Sequence, residues 1–212
     1  MVATRKVARV LVDRHGATYS EQAGIRLKNT PGSLYQLLVL STLLSARISA
    51  DIAVAAAVEL FRAGCRTPRA MREATWQQRV EALGRGGYRR YDEKTSIMLG
   101  NGAELAQKRW RNDLRRLYAA GGDSAGVARL LREFPGIGPT GASIFCREVQ
   151  GVWTDLAPYV DERALKGAER LGLPTDAERL ARLVDDEELP NLIAGCVRVA
   201  LSPKLADEVT RA

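Results

Sequence analysis

A carboxylate and a phosphate-sized turn lie 21 residues apart in this chain. Asp161 ends the run Ala157-Pro158-Tyr159-Val160-Asp161, and Thr140 closes the run Pro135-Gly136-Ile137-Gly138-Pro139-Thr140. Two glycines around one apolar residue let the backbone take φ > 0 and carry its N–H groups to a ligand with no Cβ in the way. The helix that starts at such a turn adds unpaired amides and the positive end of its dipole, so the place suits an anion. Ile137 is expected to point back and lock the flanking helices, while Gly141 and Ala142 are small enough to let them approach. A grip of this kind holds phosphate without reading base sequence.

Asp161 admits two readings. As an N-cap it satisfies first-turn amides of the helix that follows. A helix N-terminus also favours an ionised carboxylate, and an anion beside a polyanion needs a chemical use. Breaking an N-glycosidic bond supplies one. The sugar turns oxocarbenium-like as the base leaves, and a nearby carboxylate stabilises it or orients the attacking water.

Other chemistry is scarce. His15 is the one histidine, and Cys65, Cys146 and Cys196 are far apart, in no metal-ligand spacing. This argues against a zinc site, a four-cysteine iron–sulfur cluster and a Ser-His-Asp triad, so no cofactor is expected. Scattered thiols suit a reducing compartment, and a cytoplasmic location is expected. Lys plus Arg number 32 against 25 Asp plus Glu, a net charge of +7, and 26 of the cations are Arg. That excess fits a polyanion partner and equally a compositional bias toward Ala and Arg. With 46% hydrophobic and 27% charged residues the composition is globular. No run approaches the roughly 20 apolar residues of a membrane helix, and no apolar segment follows the basic N-terminus as in a signal peptide.

The elements that must position these groups read as helices. Residues 6–15 are a short amphipathic helix. After a loop at Asn29-Thr30-Pro31-Gly32, residues 33–46 carry apolar side chains on most sides, which argues burial. Residues 48–61 follow, capped by Ser49 or Asp51. Thr67-Pro68 and Ala74-Thr75 open two short helices. Gly84-Arg85-Gly86-Gly87 breaks the chain before a long helix from Asp92 to Lys108 and a shorter one from Asp113 to Ala119. Residues 124–133, with Ser124 as cap, and 140–149 flank the turn. Further helices are expected from Asp161 to Leu171 and over 176–184 and 189–200. There is no convincing strand, and the fold class is all-α.

Residues 124–149 resemble a helix–hairpin–helix DNA-binding motif. The hairpin followed by Val160-Asp161 is similar to the helix–hairpin–helix/Gly-Pro-Asp (HhH-GPD) DNA glycosylase superfamily, on its endonuclease III-like branch. Leu43-Leu44-Ser45-Ala46-Arg47 resembles that branch's Leu-Leu-Ser-Ala-Gln segment, and Gly87 to Lys94 its Gly-Leu-Tyr-x-x-Lys-Ala stretch, so the resemblance spans residues 33–172. It implies a two-lobed helical fold. One lobe is a barrel domain over 28–145 carrying the hairpin, and the other is a domain of both chain ends, 1–27 plus 146–212. DNA lies across the cleft with the target nucleotide flipped out of the stack. The resemblance implies Asp161 as the catalytic carboxylate. It implies Gly136, Ile137, Gly138, Thr140 and Gly141 as the phosphate clamp, whose carbonyls are also a seat for a monovalent cation. Arg47 matches a residue that fills the gap left in the duplex, and reads otherwise as a surface arginine.

The chain departs from the branch in three places. Members that also cut the strand carry a lysine in Pro-Gly-x-Gly-x-Lys-Thr-Ala. Thr140 stands at that position here, and threonine forms no Schiff base with the sugar C1′. The expectation is a monofunctional glycosylase that leaves an abasic site. One alternative is a bifunctional glycosylase/AP lyase with Lys166 as a relocated amine, although Lys166 reads more simply as a surface lysine. Another is a non-catalytic helix–hairpin–helix DNA-binding protein. Second, only Cys196 lies in the C-terminal part, where many members hold four clustered cysteines, so no iron–sulfur cluster is expected. Third, Asp51 falls one place later than the family's Thr-Asp and is assigned no role.

Arg85, Tyr88, Arg89, Arg90, Tyr91 and Lys94 form a basic-aromatic cluster. Its cations, Arg89 and Lys94 among them, suit backbone phosphates. Tyr88 or Tyr91 offers a ring for stacking on a base, and Tyr159, near Asp161, is a weaker candidate for the base pocket. Trp76, Trp110 and Trp153 read as structural. The expected partner is double-stranded DNA with a damaged, deaminated or mismatched base, bound by a monomer.

Overall fold

Leu34, Tyr35, Leu37, Leu38, Val39, Leu40 and Leu43 point to every side of one helix, and all are buried. A helix apolar all round belongs at the centre of a core. In the computed structural model, which describes residues 2–211, this helix is the middle of one of two compact units. The units are Tyr19–Cys146 and the two chain ends, Met1–Thr18 with Arg147–Ala212. The fold is all-α, with no strand among the described residues.

The first helix, α1 (Val2–His15), belongs to the terminal unit. The unit Tyr19–Cys146 then holds α2 (Tyr19–Gln22), α3 (Pro31–Leu44), α4 (Ala50–Arg62), α5 (Pro68–Glu73), α6 (Trp76–Arg85), α7 (Asp92–Trp110), α8 (Arg115–Gly121) and α9 (Ser124–Leu131), with most of α10 (Pro139–Val149). The unit's start at residue 19 corrects the expected 28: α2 packs on α3, and Ala23 and Ile25 are buried just after it. Pro31 and Gly32 are not loop but the first turn of α3, where the preset φ of proline is at home.

Local chemistry accounts for the helix starts. Ser49 Oγ accepts from Ile52 N, Thr67 Oγ1 accepts from Ala70 N, and Thr75 with Gln78 makes a reciprocal capping box. The cap of α9 is Asp123, whose Oδ1 accepts from Gly126 N at 2.7 Å, and Ser124, the expected cap, is the first helical residue. Across elements, the buried Arg79 of α6 donates to Met71 O and Ala74 O of the α5 region and to Ser96 O of α7. Its burial is tolerated because main-chain carbonyls take its protons.

The terminal unit is built on α13 (Leu189–Leu201). Leu192, Ile193, Cys196, Val197 and Val199 are buried against Ala164 and Ala168 of α11 (Glu162–Arg170), Ala8 and Leu11 of α1, and Val209 of α14 (Lys204–Thr210). The contact of α11 with α13 is backbone on backbone: a Cβ on Gly167 would lie 1.8 Å from Cys196 O. Burial pushes the Cys196 thiol up to about 12, so it packs as a small apolar group. The short α12 (Ala177–Ala181) lies in the expected 176–184 segment, while α2 and α14 were not expected from the sequence. Among the described residues no helix is long and apolar enough to cross a membrane.

Candidate active site

The hairpin turn runs from Phe134 to Pro139. Ile137 N donates to Phe134 O at 3.0 Å, and Ala142 N donates to Gly138 O at 3.0 Å, which opens the hydrogen-bond ladder of α10. Amides before Ala142 have no acceptor within the helix. Ile137 is buried, as a lock between helices requires. The two glycines differ, which corrects the expectation that both take positive φ. Gly136 has φ +87°, and a Cβ there would stand 3.1 Å from Met98 Sδ and from Thr42 Cγ2. Gly138 is not in the left-handed region, and a Cβ there would meet nothing within 4 Å. Gly136 is needed for the bend, and at Gly138 the fold leaves room for a side chain.

Gly141 is also placed differently from its expected role in the clamp. It is buried, and a Cβ would fall 2.1 Å from Ser45 Oγ at the end of α3 and 3.4 Å from Ile137 Cγ2. Its smallness therefore seats the first turn of α10 on α3 rather than on α9. Ser45 Oγ is held there by donating to Ser41 O at 2.7 Å. Thr140 is exposed on the same turn.

In the same unit Arg47, Arg89, Arg90 and Lys94 are exposed, and Arg90 stacks over the ring of Tyr91 at 5.3 Å. Arg85 is engaged with Glu59 at 3.2 Å, and hydrogen bonds from Arg62 first and Arg85 second hold the Glu59 carboxyl below its ordinary range. Tyr88 is fully buried, which removes it from the base-pocket candidates. The chain turns inward at Gly87, φ +82°, and Tyr88 N donates to Leu83 O at 3.0 Å. Burial pushes its hydroxyl upward in pKa. Trp110 and Trp153 are buried, but Trp76 is 40% exposed, with its Nε1 donating to Glu93 O.

Asp161 lies in the terminal unit and caps α11, its Oδ1 accepting from Ala164 N at 3.0 Å. The same carboxylate pairs with Arg147, whose Nη1 lies 3.2 Å from Oδ2 and 3.4 Å from Oδ1. The Arg147 side chain is 8% exposed and that of Asp161 17%. One helical turn beyond Arg147, the buried Gln150 reads the backbone of Tyr159 in both directions. Tyr159 N donates to Gln150 Oε1 at 2.8 Å, and Gln150 Nε2 donates to Tyr159 O at 3.1 Å. Tyr159 itself is half-buried. Lys166 is exposed and pairs with Glu162 at 2.7 Å.

Arg147 and Gln150 were not found from the sequence. They end an apolar helix, and their contacts are with partners 9–14 residues away. No local signal marks them, because their burial appears only in the fold. Among the described residues no cluster of three or more His, Cys, Asp or Glu is placed to hold a metal. All three cysteines are buried.

No family model matches the chain, and no curated protein sequence is similar to it. Among solved structures, it is similar to an endonuclease III trapped as a covalent intermediate with DNA, the estranged-adenine complex. The match covers 92% of this chain and 85% of that one, with 15% sequence identity and a TM-score of 0.50. At that identity the likeness is one of fold.

Proposed function

We propose that this protein is a monofunctional DNA glycosylase that hydrolyses the N-glycosidic bond of a damaged, deaminated or mismatched base in double-stranded DNA. The observation that carries the reading is the fold likeness to an endonuclease III caught on DNA. It is supported by a hairpin whose Gly138 has open space where a side chain would stand and by Asp161 at the head of α11. The hairpin amides take a phosphate, and exposed Arg47, Arg89 and Lys94 add sequence-independent attraction. The resemblance makes the hairpin carbonyls a seat for a monovalent cation as well.

In the reaction the C1′–N bond breaks and its electron pair leaves on the base. Asp161 stabilises the positive sugar, water adds to C1′, the water's proton passes to the carboxylate and on to solvent, and the departing base takes up a proton from solvent. Thr140 offers no amine, and Lys166 is held by Glu162 on the exposed side of α11, so the reading ends at an abasic site. The protein works as a cytoplasmic monomer. A binding-only role has one observation in its favour, since both Asp161 oxygens have partners within the protein.

The test is a panel of lesion-bearing duplexes, scored with and without alkaline work-up. Base loss that nicks only after alkali is expected, with Asp161→Asn slower by about 10³-fold. A borohydride-trapped adduct would favour the glycosylase/lyase. Tight duplex binding without base loss on any substrate would favour the binding protein.

A further inference from the structure

Resting on the reading of Asp161 as the reacting carboxylate, we infer that Arg147 is a positioning residue that sets the orientation of that carboxylate. The segment Tyr159–Asp161 has no regular secondary structure of its own, so something else must place it. The last turn of α10 does so at two points. Gln150 brackets the Tyr159 backbone as a neighbouring strand would, and its Nε2 also donates to Arg147 O at 2.9 Å. Arg147 then takes the carboxylate itself, reaching both oxygens.

The N-cap bond alone fixes one oxygen. With Ala164 N on Oδ1, the carboxylate is still able to swing about that bond. A guanidinium at 3.2 Å from Oδ2 removes the freedom. The two partners divide the carboxylate between them, the Ala164 amide on Oδ1 and Arg147 nearest Oδ2. Electrostatics by itself argues against placing a cation here, because Arg147 offsets part of the field that would stabilise a positive ribose. Burying a guanidinium is also unfavourable unless its partner is well placed. Geometry is the benefit that remains: a misplacement on the order of 1 Å at a reacting group costs about 100-fold in rate.

The experiment uses the full chain and a duplex from which the wild type removes a base. It compares wild type, Arg147→Lys, Arg147→Met and Asp161→Asn. Three quantities are read: the single-turnover excision rate, Kd for the same duplex carrying a tetrahydrofuran abasic analogue, and Tm. Arg147→Met is expected to lose about 100-fold in rate and Arg147→Lys about tenfold, with Kd within about twofold of wild type. A residue that only supports the fold would shift rate and Kd together, and that result overturns the inference. So does a wild-type rate in both Arg147 variants while Asp161→Asn is slow, which leaves the glycosylase reading standing. Failure of the wild type to remove a base from any duplex overturns that reading and this inference with it. Should Arg147→Met not fold, Arg147→Lys keeps the charge and decides the matter alone.

Discussion

Gly136 holds its place through an atom it lacks, whereas Asp161 depends on partners supplied by another helix. In residues 19–146 the hairpin has one left-handed glycine, one glycine with open space beside it and one buried isoleucine, all within a few residues of sequence. In the terminal unit Asp161 is held by Arg147 from 14 residues away, with Gln150 bracketing the chain beside it. A local device of the first kind tolerates change in the surrounding core. An assembled device of the second kind is lost when the helices that bring its parts together shift by an ångström.

The largest expected effect tests the assembled side. Gly167→Ala places a Cβ 1.8 Å from Cys196 O, and only a separation of α11 from α13 relieves it. A loss of about 3 kcal/mol, or roughly 10 °C in Tm, is expected by differential scanning calorimetry. An unchanged Tm would show that the α11–α13 contact gives way freely and that Asp161 does not ride on a tightly packed helix.

The hairpin supplies the intermediate cases. Gly136→Ala forces an L-residue to φ +87° and against Met98 and Thr42, which should destabilise by about 2 kcal/mol in urea titration. Gly138→Ala meets open space at an ordinary φ, so its cost in stability is no more than about 1 kcal/mol. Its duplex affinity by fluorescence anisotropy should nevertheless fall about tenfold, since the added methyl covers the amide face. Equal affinity in Gly138→Ala and wild type would remove the phosphate role from that face.

The smallest effect is on the exposed side of α11. Lys166 holds the Glu162 carboxyl below its ordinary value of 4.5 through a hydrogen bond and its charge. The pair's stabilisation is therefore present above pH 4.5 and is lost as the pH falls through the lowered value. Both side chains are well exposed, and such pairs are worth little. Lys166→Met should leave Tm at pH 7 within error and base excision unchanged, and any difference should shrink once the pH drops below 4.5. A lost activity would revive Lys166 as a relocated amine.

Much of the fold was legible because helix signals are local. Thr67-Pro68 and Thr75 announce two starts within a few residues of each, and the all-round apolar pattern of α3 marks it as the centre of a core. Errors fell where two local signals compete. Asp123 and Ser124 both make caps, and the choice lay with the residue whose oxygen reached Gly126 N. Tyr88 sits among exposed arginines in sequence yet turns inward after Gly87, because a positive-φ glycine reverses the chain there. The smallness of Gly141 was evident, but not that its neighbour would be Ser45, which lies about 100 residues earlier.

By itself the sequence determined most of the helices, the bend at Pro135-Gly136, the buried Ile137 and the helix-capping place of Asp161, since each follows from preferences of adjacent residues. Tertiary structure alone decided that Arg147 grips that carboxylate, that Gln150 holds Tyr159, and that Gly167 lies against Cys196 O. Those contacts depend on how helices pack, and packing is set by the shape of the whole core rather than by any short stretch of chain.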